Sequence, residues 1–319
     1  MRYRTCHALG TFILLTSLIL SLPGFGQYRE YYFYGTVMDT QKNPLEGVEI
    51  FLRDLETSRS YSIMTNKKGE FKLAGLPHGV YKVVFKKEGF AAKEDEWRFQ
   101  TPQDSMVKAE IPPVVLVTQT QVQEQARLKE MQGTLKESVE KIKQKDYDGA
   151  ISQLKAILEK DPKDANALYF LGMSYARKQM YAEAIEALIQ VTEITPKFPP
   201  AHFELAVCYQ QQNDPDKALE YYQKTLDLDP NNPDAAFNSG LILFGQNRVD
   251  EALVRFEKAI SVKPDDPAYL EMAGRCYIHQ ANFEKAIECF EKAKAGYTDQ
   301  EKVKFLDDLI SKLKDQIKK

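Results

Sequence analysis

The sequence predicts a multidomain α and β molecule, an N-terminal antiparallel β-sandwich followed by an all-α solenoid of five helical hairpins plus a capping helix. Two observations carry this prediction. Pro162, Pro196, Pro230 and Pro264 stand 34 residues apart, and a fixed period of that size marks stacked supersecondary units. Ahead of them, residues 28–118 alternate short β-branched and aromatic runs with turn residues, the texture of a sandwich. At 319 residues the chain is too long for one small core. Charged residues are 28% and hydrophobic residues 43%, a globular balance, and the net charge of −3 argues against a nucleic-acid surface.

Residues 1–26 have the layout of a secretory signal peptide. Arg2 and Arg4 precede the apolar run Thr11–Leu22, and Gly24-Phe25-Gly26 flank a cleavage site before Gln27. The run is shorter than the roughly 20 residues of a spanning helix. The chain is therefore expected to be exported, periplasmic or secreted, the alternative being a membrane anchor formed by an uncleaved signal. Beyond the signal, Cys208, Cys276 and Cys289 remain. Cys208 and Cys276 lie two whole repeats apart, beyond disulfide reach in a stack of hairpins, so they are expected as small buried hydrophobes.

In residues 27–118, strands are predicted at Tyr32–Met38, Val48–Leu52, Ser60–Thr65, Glu70–Leu73 and Val80–Lys86, with a turn at Asn66-Lys67-Lys68-Gly69 and a further strand at Val114–Val117. Gly35-Thr36-Val37, Pro44-Leu45-Glu46-Gly47-Val48, Thr65–Phe71 and Leu76–Val83 together resemble the carboxypeptidase regulatory-like family. That resemblance implies a small transthyretin-like sandwich without catalytic function. Tyrosines near residues 28–34 and Trp97 offer an alternative, a platform for polysaccharide that would make the protein a surface or periplasmic glycan binder.

Residues 119–130, rich in Gln, Glu, Lys and Arg, are predicted as a helical connector, and residues 131–296 as the array. Ala150, Ala184, Ala218, Ala252 and Ala286 recur on the ladder, as do Ser138, Gly172, Ala206, Gly240 and Gly274. These small residues let the two helices of a hairpin approach. Leu168, Leu171 and Tyr175 fall on one helical face, with Tyr181 and Leu188 on the second helix. Gly172-Met173-Ser174-Tyr175, Tyr181–Ile185 and Pro196, repeated as Phe283–Ile287, resemble the tetratricopeptide repeat family. The first repeat departs from its pattern. Thr134, Glu137 and Lys141 stand where bulk is usual, so a one-residue shift onto Leu135, Val139 and Ile142 is predicted. Residues 297–319 are expected to form a capping helix. A capping box at Thr298-Asp299-Gln300-Glu301 would open it, and a stripe of Val303, Leu306, Leu309, Ile310, Leu313 and Ile317 would face the last repeat.

No catalytic pattern stands out around His78, His202 and His279, nor any phosphate-cradling glycine loop. Cys276 and His279, three residues apart, are too few for a metal site. The expectation is a non-enzymatic protein with neither cofactor nor metal. Binding is the better reading. A second stripe on each first helix runs Tyr169, Met173, Ala176, then Phe203, Val207, Gln210, then Phe237, Leu241, Phe244, and turns polar at Glu271 and Arg275. In tetratricopeptide proteins these offsets line a concave groove. The resemblance therefore implies a protein partner, with an apolar or amphipathic segment held by Tyr169, Met173, Phe203, Val207, Phe237, Leu241 and Phe244. The competing role for these side chains is packing between repeats.

Overall fold

A computed structural model describes residues 32–77, 79–99 and 108–318. The signal-like segment, His78 and the tyrosines before residue 32 lie outside the described residues. The chain divides into two compact units between Lys129 and Glu130.

In the first unit the described strands form two sheets. One joins β4 (Glu70–Ala74), β1 (Tyr32–Met38) and β7 (Lys108–Glu110), with β8 (Val114–Val115) also on β1. The other runs β3 (Ser60–Met64), β2 (Glu49–Asp54), β5 (Gly79–Lys86), β6 (Lys93–Phe99). Pairing is antiparallel except that β7 and β8 run parallel to β1. The sandwich is thus mixed at that edge, where pure antiparallel pairing was expected. The strand predicted over Val114–Val117 is only two residues long.

Strand alternation builds the core. Ile50 and Leu52 of β2 and Tyr81, Val83 and Phe85 of β5 point inward, while Lys82 and Lys86 point out. Trp97 is only 7% exposed and stacks on Phe71 with ring centroids 6.2 Å apart. It is core, so it supplies no sugar platform. Asp54 is buried but fully engaged, accepting from the Glu56 and Thr57 amides and the Thr57 hydroxyl. The Asn66–Gly69 turn requires its glycine. Gly69 has φ +71°, and a Cβ there would lie 2.4 Å from the Val37 carbonyl oxygen.

Helix α1 (Gln119–Lys143) opens with a reciprocal pair of bonds. The Gln121 amide donates to Thr118 Oγ1 at 3.1 Å, and the Thr118 amide donates to Gln121 Oε1 at 2.9 Å. This is a capping box.

The second unit is a series of antiparallel hairpins. They pair α3 (Ala165–Arg177) with α4 (Tyr181–Ile194), α5 (Pro199–Gln211) with α6 (Pro215–Leu228), α7 (Pro233–Gly245) with α8 (Val249–Val262), and α9 (Pro267–His279) with α10 (Phe283–Gly296), while α1 meets α2 (Tyr147–Lys160) through Met131 and Leu135 against Leu154 and Ile157 and through the Ser138 hydroxyl donating to Gln153 Oε1 at 3.1 Å. Each hairpin packs on its neighbours in sequence. The small residue on each first helix is where the partner helix's bulk lands. A Cβ on Gly240 would sit 2.6 Å from the fully buried Phe256 ring. In the first repeat, Ser138 keeps this position and is fully buried. Met131, Leu135 and Ile142 supply the bulk around it, so two of the three residues predicted for the shift do the packing while Ser138 holds the small-residue position.

A second 34-residue ladder emerges in the turns. Lys145, Gln179, Asn213, Asn247 and Ala281 all adopt left-handed backbone, with φ between 56° and 64°. Helix α11 (Gln300–Ile317) closes the unit. Leu306, Ile310 and Leu313 are buried against Ile287 and Phe290 of α10, and Ile317 is exposed. Its N-cap is Asp299, which accepts from the Glu301 amide at 2.9 Å. The cap expected at Thr298 is thus one residue later.

Candidate partner-binding surface

The first helices α3, α5, α7 and α9 carry the stripe, with α3 touching α5 and α7 touching α9. Tyr169, Met173, Phe203, Val207, Phe237, Leu241 and Phe244 are all half-buried, and Ala176 is buried. The aromatic members lean on the core beneath them. Tyr169 meets Phe198 edge-on at 5.1 Å, and Phe203 meets Tyr222 at 5.8 Å. Phe237 lies 4.7 Å from the Tyr269 ring in the next repeat. Leu241 and Phe244 pack against the core of repeats four and five, and Phe244 meets the exposed His279 ring edge-on at 5.4 Å. The packing role and an accessible apolar face are therefore served by the same side chains. Gln210 is fixed from below, since its Oε1 accepts from the Tyr222 hydroxyl at 2.8 Å.

One acid, Glu271, interrupts the stripe, a second, Glu204, stands one residue off it beside Phe203, and the fold treats them differently. Glu271 on α9 accepts from Arg275 Nε and Nη2 at 3.1 and 2.6 Å and from the Tyr297 hydroxyl at 2.8 Å. Burial works to raise its pKa, but those hydrogen bonds outweigh burial and hold the carboxyl below its usual range. It lines a cavity of about 390 Å³ with Arg275, Asp299, Glu301, Lys302, Leu306 and the exposed Phe305.

Glu204 on α5 is the other acid, and sequence reasoning missed it. It is buried, 7% exposed, and among the described residues nothing donates a hydrogen bond to it. Its one ion pair is with Arg177 Nη2 of α3 at 3.9 Å. Burial raises its pKa, and Arg177 only partly offsets the shift. Its charge reaches Tyr169, whose hydroxyl is pushed up to about 12 by burial and then by Glu204. The available signal was its place, one residue after Phe203 and three before Val207, on a helix whose other buried positions, His202 apart, are apolar, aromatic or cysteine.

Cys208 and Cys276 are buried, and burial pushes both thiols up to about 12. Cys276 is buried while His279 is exposed, so they do not face one site. Among the described residues no group of three or more His, Cys, Asp or Glu is placed to hold a metal ion. The His202 Nε2 pairs with the Pro196 carbonyl oxygen at 2.9 Å, and its buried Nδ1 is unpartnered.

Comparison with known families identifies both parts. Residues 33–111 match the carboxypeptidase regulatory-like domain, and residues 141–202, 199–232 and 243–306 match tetratricopeptide repeat models. The chain carries a carboxypeptidase regulatory-like domain followed by tetratricopeptide repeats. A crystal structure of MamA is similar at 26% identity and TM-score 0.48, covering 50% of this chain and 93% of that one. YrrB, described as a TPR protein with an unusual peptide-binding site, is 24% identical with TM-score 0.48, covering 55% and 90%. MamA 41-end from Desulfovibrio magneticus RS-1 is 18% identical with TM-score 0.48, covering 52% and 94%. A search of curated proteins found no match.

Proposed function

We propose that this protein is an exported, non-enzymatic interaction scaffold whose repeat array holds an apolar or amphipathic segment of a protein partner along its first helices. The observation that carries this reading is the row Phe203, Val207, Phe237, Leu241 and Phe244, half-buried rather than sealed, on two successive first helices. Half-buried apolar side chains in a row are what a partner helix or extended chain packs on. Met173 and Tyr169 extend the run toward the second repeat. The signal-like residues 1–26 support export, with the mature chain starting at Gln27. The sandwich spaces or anchors the array.

The doubly substituted Phe237→Glu, Leu241→Glu protein tests the surface. It is expected to keep its helical circular dichroism and to lose the partners recovered by crosslinking in the native envelope. Retention of every partner by the folded variant would overturn the reading. Amino-terminal sequencing of the exported protein is expected to start at Gln27.

A further inference from the structure

We propose that Glu204 sets the specificity of this surface, its carboxylate taking the ammonium or guanidinium of a lysine or arginine that the bound segment carries among apolar residues. The inference rests on the groove reading above. Glu204 has a side chain only 10% exposed, and no described group donates a hydrogen bond to it. The 3.9 Å to Arg177 is outside hydrogen-bond range. An ionised carboxylate has about four lone-pair sites, and those of Glu204 still reach solvent, since among the described residues the buried side-chain polar atom left without a partner is His202 Nδ1.

The same fold shows how a carboxylate on this stripe is settled for structure alone, since Glu271 receives three donors from Arg275 and Tyr297. Glu204 receives none, so its accepting capacity remains open. Its position suits recognition. It follows Phe203, and it lies beside Tyr169 and Arg177 of α3, at the seam between two first helices.

Charge selects the occupant. Arg177 is half-exposed and solvated whereas Glu204 is mostly enclosed and lacks donors, so the demand left at this pair is for a donor to the carboxylate. A cation satisfies Glu204 directly with charge-assisted hydrogen bonds, which are about twice as strong as neutral ones. Phe203 and Val207 on the same helix and Phe237 on the next receive the apolar neighbours of that cation.

The test pans a displayed library of random peptides against the full chain. It then measures the best binder, and its copy with norleucine in place of the lysine, by fluorescence anisotropy. Apolar sequences bearing one central lysine or arginine are expected, with about a tenfold weaker Kd for the norleucine copy. The isosteric Glu204→Gln protein is expected to bind both copies alike. This double-mutant cycle reads a direct coupling that a purely structural Glu204 would not produce. Apolar peptides with no cation, or a lysine preference that survives Glu204→Gln, would overturn the proposal and leave the groove reading standing. Failure to enrich any peptide, or binders indifferent to the Phe237→Glu, Leu241→Glu change, would overturn both. The norleucine comparison on the unaltered protein keeps the proposal falsifiable without relying on the variant's folding.

Discussion

Glu204 also makes the array's stability depend on pH, with a sign that follows from its surroundings. Arg177 and Tyr169 face it from α3, Cys208 from its own helix and Tyr222 from α6. Burial raises its folded pKa above the ordinary glutamate value of 4.5, with Arg177 opposing. An acid of this kind binds its proton more tightly in the folded state. Its contribution is therefore fully present below 4.5 and is lost as pH rises through the raised folded value. Urea denaturation across a pH series is expected to show Glu204→Gln gaining on the unaltered protein as pH climbs above 4.5, the two running parallel below it. A pH-independent difference would remove burial as the cause. Glu204 was hard to read from sequence because a glutamate on a helix is ordinarily a solvated one. Only the α3–α5 packing shows that this one is enclosed. The left-handed residues at the hairpin turns were equally hidden. Asn213 and Asn247 are residues that tolerate positive φ, whereas Lys145, Gln179 and Ala281 give no such signal.

Elements were legible where period and punctuation agreed, and less so at their ends. The 34-residue proline spacing located the hairpins from Pro162 onward because proline cannot continue a helix. The first repeat was harder. With Ser138 in place of glycine and polar Thr134 and Glu137 beside it, packing falls to Leu135 and Ile142, as the sequence suggested, and to Met131, which it did not. The caps show the same limit. Thr298-x-x-Glu301 has the spacing of a capping box, yet Asp299 next to it is at least as good a cap and starts α11 one residue later. The reciprocal box between Thr118 and Gln121 escaped notice within a glutamine-rich stretch. Asp299→Ala is expected to cost about 1 kcal/mol of array stability by loss of the cap. Thr298→Ala is expected to stay within the roughly 0.5 kcal/mol of an ordinary surface change. Denaturant midpoints of the two variants decide between the caps, and a larger loss for Thr298→Ala would restore the sequence expectation.

At the scale of the whole array, stability is a sum of repeats and the contacts between neighbours, so its end matters as much as its middle. A hairpin buries one flank against the preceding repeat and needs a second surface for the other. For α10 that surface is α11, whose Leu306, Ile310 and Leu313 share a core with Ala286, Ile287, Phe290 and Ala293. The stripe that defines this face was readable from its i, i+4, i+7 spacing, because a solenoid's last core face has to be covered from within the chain or by a partner. Two expectations follow for a chain ending after Gly296. Ile287 and Phe290, 8% and 0% exposed in the full protein, would face water. The last repeat would then fray, and the loss would propagate toward α7 and α8 because each repeat is held by its neighbours. The truncated chain is expected to unfold at lower urea and to bind a hydrophobic dye. Leu306→Ala in the full chain is expected to reproduce part of that loss, about 3 kcal/mol for a buried leucine. Hydrogen exchange separates this from a general weakening. Protection should fall first in α9 and α10 and persist in α3 to α6. An unchanged midpoint in the truncated chain would mean that α11 does not cap the array, leaving its apolar face to serve a partner instead.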